Sequence, residues 1–187
     1  MSLTFDQRQF YADNGYVIVR SLISPDEAQY LRDEVHALAA RLDNPDATWA
    51  SVRGDNARIT HCHNVQFHSA AFTRFLTDPR FTAIAQAIIG PNVQLHHTKM
   101  FIKPPERGAP FPMHQDYPYF PHERDSMVAA ILHLDDAPVE KGCLRVVPGS
   151  HNLGPLPAIG EDRHVDGYPI EDALALPARA GDVVFFN

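Results

Sequence analysis

Two side chains of the kind that bind divalent metals stand two positions apart in the run Phe111-Pro112-Met113-His114-Gln115-Asp116-Tyr117-Pro118-Tyr119-Phe120-Pro121-His122. On an extended backbone, residues i and i+2 share a face, so His114 and Asp116 present an imidazole and a carboxylate together while Gln115 points away. Such a pair is two-thirds of a two-histidine, one-carboxylate facial triad, which holds Fe(II) on one side and leaves other positions open. The plainer alternative is a rigid, proline-bounded aromatic loop. Tyr117, Tyr119 and Phe120 fit either a cavity wall or ordinary core packing.

Spacing alone does not choose this pair, because His133-Leu134-Asp135 repeats it. Asp135 and Asp136 precede Ala-Pro-Val-Glu-Lys-Gly, which reads as a turn, so Asp135 is a strand-end residue and the weaker metal candidate. Further histidines lie in the polar segment from Asn44 to His68 (His61, His63, His68), read as irregular and as a possible pocket lining. His96 and His97 alternate faces on an expected strand, and His97 shares its face with Lys99. His151, in Pro-Gly-Ser-His, reads as a turn-stabilising residue, and His122, His133 and His164 carry less support as ligands.

The elements that must position these residues change character along the chain. Thr4 and Gln7 have capping-box spacing ahead of a first helix that stops at Gly15. A strand, Tyr-Val-Ile-Val-Arg, follows. Ser24, Pro25 and Glu27 then cap a second helix whose Ala28, Leu31, Val35, Leu38 and Leu42 form one apolar face. Another helix begins near Pro79 and ends at Gly90. Beyond it come short runs rich in β-branched and aromatic residues, separated by Pro, Gly and Asp turns. Helices first and strands afterwards predict an α+β fold with an antiparallel barrel or sandwich.

The chain has 187 residues, 44% of them hydrophobic, within the range of a single domain. A formal charge of −7 argues against nucleic acid or an anionic membrane as a partner. The start of the chain is charged from Asp6 onward and lacks an apolar leader core, and Cys62 and Cys143 have no metal or redox spacing, so a cytoplasmic location is expected. No G-x-G-x-x-G, phosphate-binding loop, G-x-S-x-G or internal repeat is present.

Five stretches in order, Asn-Gly-Tyr-Val-Ile-Val-Arg through Glu34 and Val35, Gly90 to Pro105, Met113 to Phe120, Gly142 to His151, and Ala180 to Asn187, resemble the phytanoyl-CoA dioxygenase (PhyH) family. The similarity runs through nearly the whole chain. It implies a double-stranded β-helix, a cupin-like jelly-roll with N-terminal helices packed on one sheet, and Fe(II), 2-oxoglutarate and O2 as cofactors. His114 and Asp116 match the family's iron positions. Lys99 falls where members contact 2-oxoglutarate, often through methionine, and Leu132 where some place a tryptophan. With Gln115, these form the cofactor-binding candidates.

The implied activity is hydroxylation of a small-molecule substrate with release of succinate and CO2. The family's third ligand, a histidine, and its 2-oxoglutarate-binding basic residue are expected beyond Asn187, which makes the 1–187 domain incomplete at its C-terminus. The competing reading is a non-catalytic jelly-roll that binds a small molecule and has lost the complete metal triad.

Overall fold

Helix α1 (Phe5–Asn14) starts where Thr4 accepts from the Gln7 N–H while the Gln7 side chain accepts from the Thr4 N–H. A second reciprocal pair, Ser24 with Glu27, opens α2 (Pro25–Leu42). The structure, a computed structural model, describes residues 2–42, 50–53, 57–103, 111–120, 122, 126–161 and 163–187. Ala28, Leu31, Val35 and Leu38 of α2 are buried, as their spacing predicts, and the Leu42 side chain lies outside the described residues.

Two short helices follow, α3 (Ala70–Leu76), capped by Ser69, and α4 (Pro79–Ile89), capped by Asp78 with proline at its first turn. The sequence reading anticipates only the second of these. Arg80 at the start of α4 bonds both Asp78 and Glu27, joining α4 to α2 and holding the Glu27 carboxyl down at about 2.

The polar 44–68 segment departs from its expected irregularity. It carries β2 (Ala50–Arg53) and β3 (Ala57–His63), an antiparallel pair, and β3 pairs in turn with β4 (Lys99–Ile102). Long-range pairing organises this stretch despite its weak local apolar signal.

A second sheet has the order β1-β8-β5, in which β1 (Tyr16–Val19) and β5 (Ala129–Leu132) both run antiparallel to the central β8 (Val183–Phe186). Val183, Val184 and Phe185 are each 0% exposed, so β8 is covered on both faces, as its continuous apolar run requires. On one face Val183 and Phe185 meet Val17, Val19, Leu3 and Ile84 of α4. On the other, Val184 and Phe186 meet Tyr16, Ile18 and the two-stranded sheet of β6 (Leu144–Val146) and β7 (Leu174–Leu176). The α2 and α3 face covers β3 and β4 through Leu31, Val35, Leu38, Phe72, Cys62 and Met100. Helices therefore pack outside, and the opposite sheet faces enclose a jelly-roll interior.

A buried carboxylate ties this arrangement together. Asp182, 2% exposed, accepts from the Arg20 guanidinium at 2.7 Å and from the Ser21 and Arg179 backbone N–H groups at 2.8 and 2.9 Å. Burial alone would raise its pKa, but these donors outweigh it and leave the carboxyl below its ordinary range. The preceding Gly181 has φ +92°, and a Cβ there would lie 2.6 Å from the Ile23 carbonyl oxygen, so the β1 turn closes onto glycine.

Asp182→Asn is expected to destabilise the fold by about 2–3 kcal/mol, lowering Tm by roughly 5–10 °C. Because the folded pKa lies below the ordinary 3.8, the stabilisation is complete above that pH and is lost as pH falls through the folded value. Thermal melts of wild type and variant should therefore converge in acid. A constant gap across pH would show that the carboxylate charge is not what stabilises the turn.

Candidate metal and cosubstrate site

His114 and Asp116 do not sit on a regular strand. His114 makes an isolated antiparallel bridge to His164, and Asp116 opens a turn in which its carbonyl accepts from the Tyr119 and Phe120 N–H groups. The two side chains still converge, with His114 Nε2 and Asp116 Oδ1 3.6 Å apart and about a third of each side chain open to solvent (31% and 36%). Two cis ligands on a metal with bonds near 2.1 Å lie roughly 3 Å apart, so a small closure seats an ion between them. The His114 Nδ1–H donates to the Pro112 carbonyl at 2.8 Å, which fixes the tautomer and turns the Nε2 lone pair toward Asp116.

The chemistry of this pair, an imidazole and a carboxylate each about a third exposed, fits two positions of an Fe(II) facial triad. Among the described residues, no group of three histidine, cysteine, aspartate or glutamate side chains converges on a metal position.

Gln115 points away from the pair. Its amide donates to the Gly154 carbonyl at 3.0 Å and accepts from the Leu156 N–H at 2.8 Å, tying the His114 segment to the 154–156 chain. On the other side, the Val165 N–H donates to the Met113 carbonyl at 2.9 Å, so the 163–165 chain lies along the same segment. Arg163, at φ +53°, bonds the Pro118 carbonyl and stacks its guanidinium 4.6 Å from the Tyr119 ring centroid. Tyr119 in turn meets the His114 ring edge-on at 6.0 Å.

The remaining candidates separate by sheet face. Lys99 is exposed on the face opposite buried Met100, with its ammonium 4.6 Å over Phe101, whose ring meets Phe111 ahead of His114. Leu132 registers with Val183 and packs into the helix-covered cores, on the side of β5 away from the jelly-roll interior. His61 and His63 share the Lys99 face, and His63 Nδ1 lies 2.6 Å from His97 Nε2. His96 and His97 precede β4, and both rings contact Phe120.

Other histidines have structural partners. The His151 Nε2–H donates to the Ala12 carbonyl at the end of α1, and its ring packs where a Cβ on Gly15 would clash, in line with the expected turn-stabilising role. His122 donates to the Phe120 carbonyl. His133 is buried, and that burial keeps its pKa below the ordinary value, while Asp135 is exposed and pairs with Arg32 of α2. That second His-x-Asp run therefore splits between the core and the helix surface.

A third run of identical spacing, His164-Val165-Asp166, does not stand out in the sequence, yet its His164 is the bridge partner of His114. The repeated spacing was the available signal. The partnership with His114 depends on a long-range contact.

Fold and site together define a jelly-roll with a converging His-x-Asp pair that is a candidate for metal binding. A sequence profile of the phytanoyl-CoA dioxygenase (PhyH) family matches residues 11–187, and the chain belongs to that family. It is 27% identical over 212 residues to the peroxisomal phytanoyl-CoA dioxygenase of Rattus norvegicus, covering 99% of this chain and 61% of that protein. Over 185 residues it is 29% identical to the ectoine dioxygenase of Halomonas elongata, covering 95% of this chain and 55% of that one. Its fold matches that of the non-heme alpha-ketoglutarate-dependent carbocyclase SnoK from nogalamycin biosynthesis, with a TM-score of 0.81 at 24% identity over 99% of this chain and 74% of SnoK. The chain spans about half to three-fifths of the length of the curated relatives it matches.

Replacing Gln115 with leucine leaves the Leu156 N–H and the Gly154 carbonyl without their partner. A loss of about 1–2 kcal/mol is expected, and Fe(II) affinity should fall less than in Asp116→Ala. Thermal melts paired with metal titration check both parts. Loss of metal binding as complete as in His114→Ala would instead make Gln115 a ligand.

Proposed function

We propose that this chain is the catalytic core of an Fe(II)- and 2-oxoglutarate-dependent dioxygenase that hydroxylates a small-molecule substrate. What carries the reading is the convergence of His114 Nε2 and Asp116 Oδ1, 3.6 Å apart, at the positions that match the iron pair of the PhyH family; His164 Nε2 and Asp166 Oδ1 lie 3.4 Å apart without that match. Bound iron, with 2-oxoglutarate and O2, supplies oxidative decarboxylation to succinate and CO2 coupled to substrate hydroxylation. The reading requires a third ligand besides these two.

The chain's own residues perform the positioning. The Pro112 carbonyl holds the His114 ring, and the 116–120 turn holds the Asp116 backbone. Tyr119 and Arg163 cover one side of the pair. Gln115 acts through its tie to the 154–156 chain, while Lys99 brings a cation to the interior face. Leu132 supports the site from the helix side as packing.

A cytoplasmic location and a small-molecule substrate, with neither nucleic acid nor membrane as partner, complete the proposal. Both cysteines are free and buried, which suits a reducing compartment, and the formal charge of −7 gives no general attraction to polyanions. The second reading, a non-catalytic binding jelly-roll, draws on the absence of a three-donor cluster among the described residues.

The two readings part on turnover. Purified full-length protein with Fe(II) should convert 2-oxoglutarate to succinate even without its substrate, and His114→Ala should abolish this. Asp116→Ala should weaken iron binding. Unchanged turnover in His114→Ala would sink the ligand assignment, and no turnover in the wild type would favour the binding protein.

A further inference from the structure

Arg163 reaches the His114–Asp116 pair from a separate stretch of chain. Its N–H donates to the Gly160 carbonyl at 3.3 Å and the Ile159 N–H to the His164 carbonyl at 2.9 Å, so residues 159–164 form a tight reversal. That reversal is docked on the site itself: His164 bridges His114, and the Val165 N–H donates to the Met113 carbonyl. Directly opposed residues of antiparallel chains project from one face, so His164 stands beside His114 with Ile159 on its other side.

Arg163 leaves this row. Its φ of +53° is left-handed, and its guanidinium folds over the Tyr119 ring, 4.6 Å from the centroid, while bonding the Pro118 carbonyl. The Tyr119 ring meets that of His114 edge-on at 6.0 Å. A single aromatic ring therefore separates the guanidinium from the imidazole.

The partners of this cation set it apart from other arginines of the chain. Arg20, Arg32 and Arg80 are each met by a carboxylate, at 2.7, 3.0 and 2.6 Å. Glu161 and Asp166 flank Arg163 in sequence, and Asp116 opens the turn that carries Tyr119, yet among the described residues no carboxylate pairs with Arg163. Asp166 turns to His164 at 3.4 Å and Asp116 to His114 at 3.6 Å. One carbonyl and one ring face hold the exposed guanidinium in place, and the rest of its donor fork stays open to an incoming acceptor. Stacking fixes the plane of the fork, which suits two parallel hydrogen bonds to a carboxylate or phosphate.

Resting on the oxygenase reading above, we propose that Arg163 is a specificity-determining residue that binds an oxyanion of the primary substrate, a carboxylate or phosphate, one aromatic ring away from the carbon presented to the His114–Asp116 pair. Tyr119 is the platform that sets this separation. The substrate class so selected is a small acid, held by its charge at Arg163 while its reacting carbon lies at the pair.

The test is calorimetric titration of inorganic phosphate, and separately of acetate, into full-length protein held anaerobically with Fe(II) and saturating 2-oxoglutarate. One saturable site is expected for at least one of these anions, and the tighter of the two names the headgroup. Its affinity should fall about tenfold or more in Arg163→Gln. The fall should be smaller in Arg163→Lys, which keeps the charge but not the fork. Arg8→Gln on α1 should leave it unchanged, and thermal melts confirm that each variant is folded. No saturable binding of either anion, or wild-type affinity in Arg163→Gln, overturns the proposal. So does an equal fall of 2-oxoglutarate affinity in Arg163→Gln, because Arg163 would then hold the cosubstrate. Succinate formation is measured separately: anion binding at Arg163 without turnover sinks the oxygenase reading and leaves the subsite standing, whereas turnover without anion binding sinks only the subsite.

Discussion

A carboxylate that is 2% exposed must be answered by donors, and Asp182 is answered from three directions at once. Arg20 and Ser21 belong to the chain leaving β1, and Arg179 to the turn entering β8. The Asp182 carbonyl also accepts from the His133 N–H at the end of β5. One residue thus locks the same end of three neighbouring strands, which fixes β8 as the central strand of its sheet. Everything inside the jelly-roll is measured from that strand: Val184 and Phe186 set the interior face, Val183 and Phe185 the helix-covered one.

The His114–Asp116 pair is held by a different strategy. Its segment has a single bridge residue and no ladder, so its position comes from side-chain and backbone ties to loops on either side. Gln115 fastens it to the 154–156 chain, Val165 to the 163–165 chain, and Arg163 closes over the aromatic turn. A loop pinned this way can carry its donors half-exposed while the strands beneath remain rigid, the usual division of labour between scaffold and site. Arg163 holds a positive φ of 53° in doing so, a backbone cost that its stacking and hydrogen bond offset.

Much of this is legible in local sequence. Both capping boxes, the apolar face of α2 and the buried run of β8 follow from periodicity and capping chemistry alone. The convergence of His114 with Asp116 follows from a spacing of two, even though the backbone there is a bridge and a turn instead of a strand. What local sequence does not show is register. The β2–β3 hairpin lies in a stretch too polar to read as sheet, and the pairing of His114 with His164 joins residues fifty positions apart. Which side of β5 Leu132 faces depends on its pairing with Val183. The splitting of His133 from Asp135 likewise becomes visible only once Arg32 of α2 is seen to take the carboxylate.

Among three runs of identical His-x-Asp spacing, the proposed iron site is the one at His114 and Asp116. Anomalous diffraction at the iron absorption edge, from crystals of the full-length protein grown anaerobically with Fe(II) and 2-oxoglutarate, tests it directly. One iron peak is expected within bonding distance of His114 Nε2 and an Asp116 carboxylate oxygen. A peak at His164 and Asp166, or at His133 with Asp135 swung away from Arg32, would contradict it.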